Sequence, residues 1–428
     1  MRSPYDREIV RLAIPALGAL AAEPLYILVD TAIVGHLGTP ELAALALAGA
    51  LLGALATLCN FLTYGVTAQV ARLHGAGEES RAGAIAAQAL WVALAIGLAV
   101  SGATVLLAGP AITLLGGEGR VGELATTFLR IGALGLPFAL IALAGQGYLR
   151  GTADLRTPLR ILVAANVVNA ILEVVFVYGF GWGLEGSAWG TVIAQAGMGA
   201  AFVHHLLRAP APSRRPSAAL IRPLLRMGGA LVVRTGSLLL AFILAGAVLA
   251  RVGAASLGAH QIAFQLFILV ALLLDAIAIA GQVIVGRRLG AGDAGGARAA
   301  ARRMIELSVA GGVLLAVTLM AVRGLLPHAF TADPAVIERA RTLWPLFALL
   351  IPVGAAVFAL DGILLGAGEA GYLAWSMLGA LLVFAPIALA SLEWGVTGVW
   401  IGLNVLMLVR LVTCGARFAG GRWMRVGA

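Results

Sequence analysis

Apolar runs of 20 residues or more recur along this chain, and no other feature constrains its fold so strongly. At 1.5 Å of rise per residue, about 20 residues carry a helix across the roughly 30 Å hydrocarbon layer of a bilayer. Twelve such spans read out, at approximately 9–35, 42–70, 82–108, 122–148, 157–180, 187–208, 224–250, 257–286, 299–323, 338–365, 371–391 and 396–418. Between them lie breaker-rich segments such as HLGTPE, HGAGEESR, RGTADLRTP, GWGLEG, RAPAPSRRPS and RRLGAGDAGGAR. A soluble domain is excluded on composition. The chain is 61 % hydrophobic and only 11 % charged, whereas soluble chains carry about 25 % charged residues. The first run follows the charged stretch MRSPYDREIVR. It exceeds the ~7–15 residues of a signal-peptide core and carries Glu23 and Asp30, so a retained first helix is expected.

The net charge is +9, and every basic residue is Arg. These arginines sit in short loops, where they set membrane orientation and do not point to a nucleic-acid partner. Assigned to alternate sides of twelve spans, 21 fall with the two termini and 6 on the other side, leaving Arg234 and Arg410 within spans. The bias predicts a multi-pass protein of the cytoplasmic (inner) membrane with both termini in the cytoplasm. Cys59 and Cys414 lie far apart in apolar segments and imply neither a disulfide framework nor a metal site.

The chain also repeats itself. HGAGE at 74–78 matches LGAGD at 289–293, RGTAD at 150–154 matches LGAGE at 365–369, and LPF at 136–138 matches IPV at 351–353. Arg11 falls on Arg226, and all four pairs share an offset of 215 residues. WGLEG at 182–186 matches WGVTG at 394–398 with an offset of 212. A constant offset over separated blocks argues for duplication. It predicts an N-lobe at 1–208, a Pro- and Arg-rich linker at 209–223 and a C-lobe at 224–428. Six helices per lobe keep both halves in one orientation, related by a pseudo-twofold axis along the membrane normal.

An ionisable group at the centre of a membrane helix costs about 2.5–3.5 kcal/mol on insertion scales. Glu23, Asp30, Glu173, Arg234, Asp275 and Asp361 therefore each need a reason. Tyr26 precedes Asp30 by one turn on the same face of helix 1. Asn166, Asn169 and Glu173 form one stripe on helix 5. Asn pairs also glue membrane helices together, but the added carboxyl favours a functional site. Glu23, seven residues before Asp30 and close to the same face, is left without a role. Pro15 removes a backbone donor from helix 1, and the sequence leaves open whether it is a hinge or only shapes packing. The offset maps Asp361 onto Gln146, Asp275 onto Asn60 and Ala245 onto Asp30, so the two lobes are chemically unequal. A C-lobe polar network of Arg234, Gln261, Asp275, Gln282 and Asp361 is expected, with Arg234 paired to Asp275 or Asp361 because a lone buried charge is costly. Whether that network is structural or touches substrate stays open. No Walker A, GxSxG, HExxH or Cys/His cluster occurs, so no cofactor is expected and an ion gradient is the expected energy source.

VDTAIVGHLG at 29–38, QGYLRGTADLRTPL at 146–159, NAILE at 169–173 and DGILLGAGEA at 361–370 resemble the multidrug and toxic compound extrusion (MATE) family, and within it the DinF branch. The resemblance implies an all-α membrane protein of twelve helices, two six-helix lobes in a V around a central cavity. It implies export of amphipathic or cationic drugs by a monomer in the lipid bilayer, driven by H⁺ entry, with Na⁺ coupling as the alternative. Carried over position by position, it places Tyr26, Asp30, Asn169 and Thr191 in an N-lobe pocket. Gln146 stands where Asn is common, and Glu173 where Asp is frequent; Asn166 joins the pocket from the helix 5 stripe. Pro15 matches the proline associated with bending of helix 1. Asp30 and Glu173 become the proton-coupling acids. The branch that binds Na⁺ in its C-lobe uses an acid in helix 7, where this chain has Arg234, and that departure favours protons. A lipid-precursor flippase of the same superfamily would line its cavity with several basic residues. A membrane enzyme would need a nucleophile–base or metal constellation, and a channel repeated polar rings.

Overall fold

Glycine-containing segments separate most of the helices, while prolines such as Pro15, Pro110 and Pro352 lie within them. The computed structural model describes residues 4–427. Its helices are α1 (Pro4–Gly35), α2 (Thr39–Cys59), α3 (Phe61–Gly75), α4 (Glu79–Leu114), α5 (Gly119–Ala133), α6 (Leu136–Gly151), α7 (Arg156–Val174), α8 (Gly183–Arg208), α9 (Ala218–Val252), α10 (Ala254–Gly290), α11 (Ala294–Ala321), α12 (Leu326–Phe330), α13 (Pro334–Gly366) and α14 (Ala370–Ala419). A π-helical turn, Val175–Gly179, extends α7. No strand occurs among the described residues.

These helices reproduce the expected spans once three breaks are recognised. α2 and α3 together form one 37-residue span, interrupted at Asn60. α5 and α6 meet at a 48° bend over Leu134–Gly135 and share the fourth span. α14 is two helices joined at Gly395, whose φ of 64° no helical residue adopts. Large apolar side chains such as Leu106 (80 % exposed) and Leu114 (88 %) face outward. On a membrane helix those faces meet lipid, which removes the cost that water would impose.

The duplication is visible as geometry. Four helices end in the same way, at Gly77, Ala153, Gly292 and Gly368, each with φ between 63° and 80°. In each, the next residue's N–H returns to a carbonyl five residues earlier: Glu78 to Leu73 (2.9 Å), Asp154 to Leu149 (2.8 Å), Asp293 to Arg288 (2.8 Å) and Glu369 to Leu364 (2.9 Å). This left-handed cap satisfies carbonyls that the helix end leaves orphaned. Three of the four use Gly, as a positive φ favours; Ala153 is the exception.

Helix packing repeats as well. On α6, Gly147 and Gly151 lie flush against α3, where an added methyl would come within 2.8 Å of the Thr63 carbonyl oxygen or 2.6 Å of Val70 Cβ. On α13 the equivalent Gly362 and Gly366 meet the backbone of Ala278 and Gln282 on α10. Small residues four apart let membrane helices approach to backbone contact. The first of these seams adds hydrogen bonds from Thr63 Oγ1 to the Leu143 carbonyl (3.0 Å) and from Thr67 Oγ1 to that of Gly147 (3.2 Å).

The chain divides into two compact units. One is Gly18–Gly228; the other is Gly229 onward together with the start of α1 as far as Leu17. α1 is continuous through Pro15 and Pro24, and the division falls two residues after Pro15. Asp6, near the start of α1, receives Arg303 through two hydrogen bonds of 2.7 and 3.1 Å, and Glu8 receives Arg288 at 3.3 Å. The later unit has a core of fully buried aromatics, Trp344, Phe347, Phe384 and Trp400. The earlier one is built on smaller residues, including Val66, Val70, Leu140 and Ala144, closed by Phe202.

Candidate functional site in the Gly18–Gly228 unit

Three helices converge on one polar cluster, each through residues spaced one turn apart. α1 contributes Tyr26 and Asp30, α7 Asn169 and Glu173, and α8 Ser187 and Thr191. Such spacings put side chains on one face of a helix. Asp30, Asn169 and Glu173 are 6 %, 3 % and 0 % exposed. Ser187 Oγ donates to Asp30 Oδ1 at 2.7 Å. Thr191 Oγ1 joins the other members: Tyr26 Oη at 3.0 Å, Asn169 Nδ2 donating at 3.2 Å, and Glu173 Oε1 accepting at 3.5 Å. A hydroxyl has one donor and two acceptor lone pairs. Thr191 therefore fills its capacity by accepting from Tyr26 and Asn169 and donating to Glu173. Gly190 allows this close approach, because a methyl there would come within 3.2 Å of Glu173 Cγ.

The Asp30 and Glu173 carboxyls face each other within hydrogen-bonding range. A hydrogen bond between two carboxyls exists only when one of them carries the proton. No ion pair among the described residues involves either acid, and no N–H or hydroxyl donor reaches Glu173 Oε2. The arrangement can therefore take up and release protons without disrupting a salt bridge.

Two adjoining cavities, of about 240 and about 650 Å³, open beside the cluster. Glu23, Tyr26, Thr191 and Gln195 line both; Asp30 lines the larger, and Asn166, Asn169 and Gln146 the smaller. Asn166 Nδ2 donates to the Ala22 carbonyl at 2.8 Å, tying α7 to α1. Gln146 accepts from Arg150 Nη2 at 3.2 Å. Arg150, counted from sequence among the loop arginines, is 6 % exposed in the last turn of α6 and lines the smaller cavity.

Sequence reasoning missed Ser187 and Gln195, although Ser187, Thr191 and Gln195 form a stripe at spacing four that periodicity could have found. It also missed Tyr178, within the π-helical turn, whose hydroxyl donates to the Ile33 carbonyl on α1 at 2.6 Å.

In the other unit the polar residues assemble differently. Asp361 on α13 accepts Arg410 Nη2 at 2.5 and 2.7 Å and Arg234 Nη2 at 2.8 Å. Asp361 and Arg410 are 4 % and 2 % exposed. Arg234 thus pairs with Asp361, one of its two expected partners. Arg410, from the second helix of α14, is a member the expected network lacked. Gln282 is buried against the Gly366 seam, and Asp275 is half-buried on α10. Gln261 is exposed and makes no hydrogen bond with this cluster, because it lies about 25 Å along α10 from Ala278, the residue that packs on Gly362 next to Asp361.

Long apolar helices, a duplicated six-helix pattern and a buried acid pair beside a cavity define a multi-pass helical transporter. The family model described as MatE matches residues 15–175 and 233–389, and the chain belongs to that family of multidrug efflux transporters. It is 32 % identical to protein DETOXIFICATION 44, chloroplastic, of Arabidopsis thaliana, over 95 % of this chain and 80 % of that protein. It is 28 % identical to DNA damage-inducible protein F of Escherichia coli (strain K12), over 98 % of this chain and 94 % of that protein. The fold matches a crystal structure of MATE in the bent conformation with a TM-score of 0.90 and 21 % identity, covering 98 % of this chain and 95 % of that one.

Proposed function

We propose that this protein exports amphipathic, cationic organic compounds in exchange for protons, by alternating access, with Asp30 and Glu173 as the shared proton carrier. The observation that carries this reading is the contact between those two carboxyls, beside a cavity and without a basic partner. Deprotonated, the pair gives the cavity a negative wall for a cation. Proton entry from outside removes that charge and breaks the attraction. Ser187 and Thr191 then exchange hydrogen-bond partners, and α1 bends at Pro15. Support for the hinge is local: Pro15 offers no N–H to the Arg11 carbonyl, and the unit boundary lies within a turn of it. In this reading the termini are cytoplasmic, the protein is a monomer of the cytoplasmic membrane, and the 1–208 and 224–428 halves act as its two lobes.

The test is ethidium efflux from reconstituted vesicles under separate H⁺ and Na⁺ gradients, with wild type and Asp30→Asn. Efflux driven by the H⁺ gradient alone, and reduced by about two orders of magnitude in Asp30→Asn, is expected. Dependence on Na⁺ alone, or wild-type coupling in the variant, overturns the proton assignment.

A further inference from the structure

The face of α5 turned away from the two cavities carries a polar stripe that proton coupling leaves unused. Glu123, Thr126, Thr127 and Arg130 recur at spacings of three and four, so they share one face of the helix. At about 100° per residue, that face lies roughly opposite Phe128 and Gly132, which line the larger cavity. The stripe forms one wall of a separate crevice of about 430 Å³. The end of α4, through Gly109 and Thr113, forms the other wall, and Gly117 and Gly122 keep the floor free of side chains. The crevice lies on the side opposite the N-terminus, after three crossings of the membrane.

Depth makes the stripe unusual. Gly97, close to the middle of the uncharged stretch 82–115 of α4, packs on Pro137, where an added methyl would come within 2.6 Å of the proline Cα. Pro137 is therefore near mid-membrane. Arg130, seven residues towards the 115–118 loop, leaves the helix about 10 Å from that level, inside the roughly 15 Å half-thickness of the hydrocarbon. Glu123, seven residues further on, lies about 20 Å from it, at headgroup level. Both are exposed. No hydrogen bond or ion pair among the described residues involves the side chain of Glu123, Thr126, Thr127 or Arg130. Arg120, on the same helix, is taken by Glu41 at 2.8 Å. A lone guanidinium at hydrocarbon depth is costly and calls for an anion. Each Cα–Cβ bond tilts towards the helix N-terminus, which in α5 is the membrane surface, so Arg130 reaches towards the headgroups.

We infer that this crevice seats the headgroup of a phospholipid bearing a phosphodiester and a terminal ammonium, as in phosphatidylethanolamine. Arg130 pairs with the phosphate through its guanidinium fork, the Thr126 and Thr127 hydroxyls donate to it, and Glu123 takes the ammonium. The order of charges fits the lipid. Its phosphate is esterified to glycerol and lies deeper, as Arg130 does; its ammonium ends the headgroup near the surface, as Glu123 does. The two Cα atoms are about 10 Å apart along the axis, which leaves room for the headgroup between their side chains. Leu106 lies deeper on the face of α4 that carries Gly109 and Thr113; it is 80 % exposed and gives the acyl chains an apolar track. An anionic headgroup without an amine would set its charge beside Glu123 with nothing to offset the repulsion.

The experiment is native mass spectrometry of the full-length protein in detergent, titrated with dioleoyl phosphatidylethanolamine or dioleoyl phosphatidylglycerol. Wild type is expected to hold the first ethanolamine lipid at least about tenfold tighter than the glycerol lipid. Arg130→Gln should weaken that lipid by about tenfold or more, and Arg130→Lys should retain part of the affinity. Glu123→Gln should bring the two lipids to similar affinity, by weakening the first and strengthening the second. Both residues are exposed, so these substitutions leave the packing intact. Glycerophosphoethanolamine, the same headgroup without acyl chains, should not displace the lipid at equal concentration. Equal wild-type affinities, wild-type binding in Arg130→Gln (non-specific annular lipid only), an unchanged preference in Glu123→Gln, or displacement by the free headgroup overturns the inference.

Discussion

Asp30 and Asp361 are both buried aspartates in membrane helices, one in each unit, and their surroundings are opposite. Asp361 is bracketed by two guanidiniums at 2.5 to 2.8 Å. Asp30 has a serine hydroxyl at 2.7 Å and a second carboxyl as neighbours, with no cation. A carboxylate clamped by arginines is fixed in one charge state, since protonating it would strand a buried cation. A carboxyl held by neutral groups and another acid can change its charge at low structural cost. The duplicated scaffold thus holds one acid as a fastener and leaves the other without a cation, as the proposed proton exchange requires.

The largest test of that contrast is removal of each acid. Asp361→Ala leaves Arg410 buried without its counter-ion and should cost about 3–5 kcal/mol, read as a collapse of the melting temperature in detergent. Adding Arg410→Leu should recover part of it. Asp30→Asn keeps a hydrogen-bonding amide beside Ser187 and should change stability by less than about 1 kcal/mol, although coupling is lost. If Asp361→Ala melts like wild type, or Asp30→Asn does not, the contrast fails.

The shared scaffold gives the next test. Gly147→Ala and Gly362→Ala force a methyl against backbone at equivalent helix seams, so each should cost about 1–3 kcal/mol. Widely different losses would mean that the two seams are not equivalent. Smaller still is Ala153→Gly, which relieves the one non-glycine among the four left-handed helix ends and should add up to about 1 kcal/mol. Gly368→Ala at the matching position should go the other way.

The smallest effect concerns Asp293, which caps α11 by accepting the Gly296 N–H at 2.7 Å. That bond, and then Arg288 at 3.0 Å, hold its carboxyl below the usual aspartate range. The folded state binds this proton less tightly than the unfolded chain. Its stabilisation is therefore complete above the ordinary value, about 3.9, and fades as pH falls further. The melting-temperature difference between wild type and Asp293→Asn should shrink below about pH 4.

Much of the fold was legible because hydropathy and breakers act locally. The span from 122 to 148 was found as one unit, and only its bend at Leu134–Gly135 was hidden. The offset of 215 residues anticipated the paired caps and glycine seams. In the candidate site, Tyr26 with Asp30 and Asn169 with Glu173 followed from helical periodicity. Ser187 did not, because a lone serine in an apolar helix carries no charge to flag it. Arg410 went unassigned because nothing in the spacing says that Asp361, already matched to Arg234, takes a second guanidinium.

The sequence by itself determined that this chain crosses a membrane many times, that it is a duplication, and that a few acids must be kept in apolar surroundings for a reason. Those conclusions rest on interactions within one helix or along one stretch of chain, where spacing and transfer energy suffice. Only the tertiary structure decided which acid meets which neighbour. Asp30 came to rest against Glu173, Asp361 against two arginines, and Glu23 against open cavity. In a low-dielectric interior the partner on the next helix, and not the residue's own identity, determines whether a carboxyl fastens, titrates or stands free.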